Sequence, residues 1–191
     1  MANSKLIVVE GPQGVGKTTV TDFLRNTLPC TNLYRLSGTS DSTLTGKKKA
    51  EDMYIKLLEY IKGLENCSIN LVFDRTFFTE EAYCRLGKKE YEFTNIYEKL
   101  LYDFSNLDFE IYYITLYLRN VNLYEKRLNR EGKAVFDISK YDKNNSINQQ
   151  NVYLQMASEI KEKYKNIKVI NIANDIPLEE VHQILRKELK F

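Results

Sequence analysis

The chain predicts an α/β fold with three layers, a five-stranded parallel sheet lying between two sets of helices. Three observations carry this. Short apolar runs, each about the length of a buried strand, alternate along the chain with longer segments of helical periodicity. The first run, Lys5-Leu6-Ile7-Val8-Val9, breaks directly into a glycine-rich stretch, Glu10-Gly11-Pro12-Gln13-Gly14-Val15-Gly16-Lys17-Thr18-Thr19, that opens a helix. The third run closes on an acid and a guanidinium, Asp74-Arg75. Continuous apolar strands suit a sheet covered on both faces, and regular alternation with helices makes the strands parallel.

The glycine-rich stretch meets the pattern G-x-x-x-x-G-K-[ST] through Gly11, Gly16, Lys17 and Thr18, in the strand-then-helix context that the pattern requires. The architecture expected is therefore a P-loop NTPase fold. Residues 11–16 (Gly11, Pro12, Gln13, Gly14, Val15, Gly16) can turn successive N–H groups onto phosphate oxygens, aided by the positive end of the helix that Thr18 and Thr19 enter. Lys17, expected to stand exposed at the loop mouth, would reach the β- and γ-phosphates. The Thr18 hydroxyl is the natural ligand of a magnesium ion, so ATP with Mg2+ is the expected cofactor set.

Beyond the loop, residues 19–28 read as a helix stopped by Pro29, and residues 32–36 as a short strand. Residues 37–49 are polar, with Lys47-Lys48-Lys49 as a solvated helix start or loop. Met53, Leu57, Leu58 and Ile61 then mark a helix that ends near Gly63. Residues 69–74 form the third strand, 79–86 and 94–104 two helices, and 110–118 the fourth strand. Residues 121–130 make a helix. The polar segment 131–146 has the length at which a structureless loop is usually functional, and it is the lid candidate. Residues 147–164, 168–172 and 177–189 close the chain as helix, strand and helix, with Pro177 in the first turn of the last.

At 191 residues one domain, 1–191, is expected. Lys and Arg number 28 against 26 Asp and Glu, a formal charge of +2, so no basic field favours nucleic acid as a partner. Cys30, Cys67 and Cys84 have no C-x-x-C spacing, which suits reduced thiols in a cytosol. No apolar run approaches the roughly 18 residues needed to cross a membrane. A cytoplasmic protein without membrane or nucleic-acid partners is the expectation, acting on small-molecule nucleotide substrates.

Switch-type GTPases would carry D-x-x-G and N-K-x-D, and neither occurs. Asp74-Arg75 instead sits at the carboxyl end of a strand, the edge where open parallel sheets bind ligands. Asp74 can hold the water shell of the metal or a sugar hydroxyl, and Arg75 offers a planar fork to a second phosphate. A structural ion pair is the plain alternative. Val15 leaves the loop without an arginine, so charge for phosphoryl transfer must come from elsewhere. Arg127 and Arg130, three apart on one helix face at the lid's edge, are the candidates, with Lys133 behind them. Basic residues that merely favour a helix C-terminus are the plain alternative.

These residues resemble the thymidylate kinases, within the wider group that includes deoxynucleoside kinases. Residues 74–84 match D-R-Y-x-x-S-x-x-A-Y-Q in register, with Asp74, Arg75, Ala82 and Tyr83 identical and Thr79 keeping the hydroxyl. The stretch from Glu10 to Thr19 resembles E-G-x-x-G-x-G-K-T-T. Residues 152–157 and 169–181 are similar to the late helix and the last strand and helix of the family.

The resemblance implies a nucleoside monophosphate kinase-like fold with a lid and ATP-dependent phosphorylation of a deoxynucleoside monophosphate, dTMP or a related one. It also implies a homodimer. Carried over by position, Gln13 meets the sugar 3′-hydroxyl, Arg35 and Arg75 bind the acceptor phosphate, and Tyr83 closes on the sugar at the 2′ position, with Thr79 beside it. The chain departs from the family after the second strand, where R-E-P-G-G-T is Arg35-Leu36-Ser37-Gly38-Thr39, one residue shorter and without the Glu. It also lacks the thymine-reading L-L-F-x-A-x-R, with Met53 and Tyr54 nearby. A deoxynucleoside kinase would need a base at a neutral 5′-hydroxyl, and no Glu lies between Cys30 and Ala50. That favours an anionic acceptor. A nucleotide-binding module without transferase activity is the third possibility.

Overall fold

The computed structural model describes residues 4–129 and 142–191. Arg130 and residues 131–141, which hold most of the expected lid, lie outside the described residues. Five strands, β1 (Lys5–Glu10), β2 (Thr31–Arg35), β3 (Asn70–Asp74), β4 (Glu110–Tyr117) and β5 (Ile167–Ala173), form one sheet in the order β2-β3-β1-β4-β5. Every pairing is parallel. The helices are α1 (Lys17–Thr27), α2 (Leu44–Lys62), α3 (Phe77–Arg85), α4 (Thr94–Ser105), α5 (Leu123–Leu128), α6 (Lys143–Lys163) and α7 (Leu178–Leu189).

Central strand β1 shows why the sheet is buried on both faces. Leu6, Ile7, Val8 and Val9 are wholly enclosed. Successive side chains point to opposite faces, so Leu6 and Val8 join a core with α2, α3, α4 and α6, while Ile7 and Val9 join a core with α1, α5 and α7. Truncating such a residue, as in Ile7→Ala, costs about 2–5 kcal/mol. Register aligns Asp74 with both Val9 and Arg35. The carboxyl ends of three neighbouring strands thus share one edge, and the phosphate loop rises from its centre.

Several boundaries differ from the sequence reading for local reasons. α1 begins at Lys17, because Gly16 in the left-handed region (φ 99°) turns the chain directly into the helix. Lys47, Lys48 and Lys49 lie inside α2, which starts at Leu44. The buried face of α2 carries Gly46, Ala50, Tyr54, Leu58 and Ile61, whereas Met53 is 38% exposed. α5 is confined to Leu123–Leu128. α6 begins at Lys143, capped by the Asp142 carboxylate, which accepts from the Asn145 amide. Residues 143–146, expected within a structureless loop, are therefore the first turn of a helix. Pro177 is the N-cap of α7, just outside its first turn. Among the described residues no helix is long and apolar enough to cross a membrane.

Candidate functional site

The loop between β1 and α1 owes its shape to glycines at positive φ, Gly11 at 143° and Gly16 at 99°. A Cβ on Gly11 would stand 2.6 Å from the Leu116 carbonyl oxygen, and one on Gly16 would stand 2.5 Å from Asn174 Nδ2. A larger residue at Gly11 would have to move β4, and one at Gly16 would displace the Asn174 side chain and adopt a backbone that favours glycine. Lys17 is buried, not exposed as its place at a loop mouth suggests, because its ammonium folds back onto the loop. It donates to the carbonyls of Gly11 at 2.7 Å and Pro12 at 2.8 Å. Thr18 and Thr19 are exposed at the helix start. The Thr18 hydroxyl reaches Asp74 Oδ2 at 3.4 Å. Asp74 Oδ1 is buried with no partner among the described residues.

A cavity of about 510 Å³ opens over the loop, bounded by Lys17, Thr18, Arg75, Arg127 and Asn174. Arg127 donates to the Val15 carbonyl at 3.1 Å and the Asn174 carbonyl at 2.6 Å. Asn174 Nδ2 donates to the same Val15 carbonyl at 2.6 Å. The guanidinium thus ties the loop to the turn between β5 and α7 through two of its five N–H groups. From the other side α6 braces the loop. The Gln13 amide donates to Gln149 Oε1 at 3.0 Å, and the Ser146 hydroxyl donates to the Gln13 carbonyl at 3.1 Å. The Gln13 side-chain oxygen is buried without a partner among the described residues. Pro12 and Val15 are buried beneath the loop, and Gly14 continues it at φ 78°.

Arg75 follows β3 in the left-handed region, at φ 74°, with its amide donating to the Val9 carbonyl at 3.2 Å. Among the described residues its guanidinium makes no hydrogen bond and no ion pair. Burial pulls its pKa down, but Tyr83, Tyr153, Asp74 and Glu10 face it and more than offset this, so it stays charged. Glu10, the last residue of β1, is wholly buried. Oε1 accepts from the Thr76 amide at 2.8 Å, and Oε2 accepts from the Thr79 hydroxyl at 2.7 Å. Burial pushes its carboxyl from 4.5 up to about 7, although the Thr79 and Thr76 bonds and the Lys17 and Arg75 charges pull it down.

The structure brings Gln13, Lys17, Thr18, Thr19, Arg75 and Arg127 to one opening, with the buried Asp74 behind Thr18, and sets other candidates apart from it. Thr79 is buried, its hydroxyl spent on Glu10 and 3.1 Å from the Tyr153 hydroxyl, which places it under the site and not in it. Arg35 pairs with Asp22 of α1, and its Nε lies 4.0 Å from Asp74 Oδ2. Tyr83 is half-buried with the Lys88 ammonium 5.1 Å from its ring centre. Arg130 and Lys133 lie outside the described residues. Sequence reasoning missed Asn174, Gln149 and Ser146, as well as any role for Glu10. Asn174 had a usable signal, since it follows a strand at the same carboxyl edge as Asp74.

No protein-family model matches the chain, and no curated protein does. Solved structures do match in fold. A thymidylate kinase from Candida albicans superposes with a TM-score of 0.67 at 17% identity, over 100% of this chain and 92% of that one. The YorR protein from Bacillus subtilis, in complex with phosphorylated GDP, gives 0.64 at 14% identity over 97% and 98%. A deoxyadenosine kinase from M. mycoides with bound dCTP gives 0.61 at 14% identity over the same shares. Sheet order, loop and flanking helices together define the P-loop kinase fold. The likeness to these three proteins is one of architecture.

Proposed function

We propose that this protein is a kinase that moves the γ-phosphoryl group of ATP to a deoxynucleoside monophosphate, dTMP or a related one. The observation that carries the reading is Arg75, a charged, half-buried guanidinium that makes no hydrogen bond or ion pair among the described residues and lines the same cavity as the phosphate loop. An unpaired cation in such a place stabilises an anion brought by a ligand. The loop amides and Lys17 would hold the ATP phosphates, Lys17 exchanging the Gly11 and Pro12 carbonyls for phosphate oxygens. Asp74 and Thr18 fit Mg2+, a hard cation, through an orphaned carboxylate oxygen and a nearby hydroxyl. The chemistry Mg2+ supplies when bound is neutralisation of charge on the transferring phosphates.

Transfer breaks the bond from the γ-phosphorus to the bridging oxygen of ADP as a bond forms to an oxygen of the acceptor phosphate. That oxygen is already anionic, so no base is required. Arg127 lines the donor side, where its remaining N–H groups can follow charge onto the leaving oxygen, and Arg130 is proposed beside it. Arg35, Gln13, Tyr83 and Thr79 remain the proposed acceptor-side set, Thr79 acting from beneath. A nucleoside kinase is the second reading, favoured by one observation: Glu10 has a pKa near neutrality. Both of its oxygens are bonded and the residue is sealed from the cavity, which supports the monophosphate instead. A homodimer is proposed from the resemblance alone.

The test is a panel of dTMP, dUMP, dCMP, dGMP, UMP and thymidine at equal concentration with magnesium ATP. A deoxynucleoside monophosphate should be the fastest acceptor. Thymidine outrunning every monophosphate would replace this reading with the nucleoside kinase, and no transfer to any of them would leave a binding module.

A further inference from the structure

Left-handed backbone is costly for any residue with a Cβ, about 1–3 kcal/mol at a constrained site. Arg75 adopts it at φ 74° between the end of β3 and the start of α3. Two bonds from β1 flank it. Before it, the Val9 carbonyl accepts from its own amide; after it, the Glu10 carboxylate accepts from the Thr76 amide. Glu10 then reaches one turn further to the Thr79 hydroxyl. Thr76 is the N-cap of α3 but makes no capping bond with its side chain, and its hydroxyl oxygen is buried without a partner among the described residues. The helix start is thus capped from the neighbouring strand, with a carboxylate at the positive end of its dipole.

Deepening the kinase reading, we infer that Glu10 is a positioning residue for the acceptor site: its carboxylate, bonded to Thr76 and Thr79, holds Arg75 in the left-handed conformation that sends its guanidinium into the cleft. Lys17 of α1, Arg75, Thr79 of α3, Tyr153 of α6, Tyr113 of β4 and Tyr54 of α2 surround this carboxylate. An apolar side chain would be cheaper to bury among them. It could not accept from the Thr76 amide.

Glu10→Met removes both anchors at similar length, and Glu10→Gln keeps an oxygen for Thr76 while losing the acceptor for Thr79. With KM measured for ATP and for the best monophosphate, Glu10→Met should raise the acceptor KM about tenfold and leave the ATP KM and kcat within about twofold. Glu10→Gln should fall between it and the native protein. In the Arg75→Ala background neither substitution should move the acceptor KM further, because Glu10 acts through Arg75. A side chain that merely fills the core would raise that KM by the same factor in both backgrounds, and this result would overturn the inference. If Glu10→Met does not fold, Glu10→Gln compared in the native and Arg75→Ala backgrounds decides the matter in the same way. Crystal structures of the substituted proteins supply a readout free of activity: Arg75 should leave positive φ in Glu10→Met, and an unchanged φ would count against the role. Should the native protein phosphorylate no monophosphate, the kinase reading falls by itself, and the Arg75 backbone still decides this inference.

Discussion

On the phosphate-loop side of the cleft, the proposed donor side, both cations rest on backbone carbonyls: Lys17 on Gly11 and Pro12, Arg127 on Val15 and Asn174. On the proposed acceptor side the Arg75 guanidinium makes no hydrogen bond or ion pair among the described residues, and Arg35 pairs with Asp22 while its Nε stays 4.0 Å from Asp74 Oδ2. A carbonyl is a neutral acceptor that a phosphate oxygen readily displaces, whereas a guanidinium without a hydrogen bond among the described residues needs no displacement. The proposed donor side is thus closed upon itself, and the proposed acceptor side presents a guanidinium from a residue in the left-handed region. The difference predicts that damage on the two sides separates cleanly in the kinetics.

Lys17→Ala should have the largest effect, because in the proposed reaction it removes positive charge from the migrating phosphoryl group itself. Loss of one such contact costs about 3 kcal/mol or more, a hundredfold to a thousandfold in kcat. Since the lysine donates to loop carbonyls that water can reach once it is gone, the midpoint of thermal unfolding should move by no more than a few degrees. Collapse of the fold in this variant would mean that the carbonyl contacts are structural.

Glu10, wholly buried beside the cleft and bonded to Thr76 and Thr79, makes stability depend on pH with a defined sign. Its folded pKa, about 7, lies above the ordinary 4.5, so between these values the folded state keeps a proton that the unfolded chain has lost. Stability is therefore full below pH 4.5, falls as pH rises through this window and levels off above 7. At about 1.4 kcal/mol per unit the loss from this group is about 3 kcal/mol. Glu10→Gln, which cannot titrate, should lack that component. Urea unfolding at pH 5 and pH 8 would show it, and an equal change in stability for the native and Gln proteins would remove Glu10 as the source.

Arg75→Ala should raise the acceptor KM about tenfold to a hundredfold, the range for losing hydrogen bonds to a charged group, with the ATP KM little changed. Equal effects on both substrates would erase the distinction between the two sides. Arg127→Ala should show the reverse pattern with a smaller amplitude, roughly threefold to tenfold on the ATP KM, because Asn174 still holds the Val15 carbonyl. A change confined to the acceptor KM would place Arg127 on the wrong side.

The same contrast explains what was legible in the sequence. The donor loop is contiguous, so its glycines, Lys17 and Thr18 stand at fixed spacings and could be read directly. The place of Asp74-Arg75 on the carboxyl edge of the sheet was legible because the apolar run of β3 ends at Asp74. Glu10 stood inside the motif but meets Thr76 and Thr79 more than sixty residues on, and no local pattern encodes that pairing. The start of α6 was hidden for a different reason. Its inward residues Ser146, Gln149 and Gln150 are polar, bonded to the phosphate loop and to Leu118, so the apolar periodicity that reveals a helix is missing there. On α2 the buried stripe runs through Gly46, Ala50 and Tyr54, and these small and aromatic residues concealed its phase, which does not include Met53.

Calorimetric titration of the native protein and of Arg75→Ala with dTMP and with thymidine, without ATP, isolates the charge of the acceptor site from every later step. An acceptor site built around an unpaired guanidinium should bind dTMP at least tenfold more tightly than thymidine, and that advantage should vanish in Arg75→Ala. Equal affinity for the two ligands in the native protein, or an advantage that survives the loss of Arg75, would contradict it.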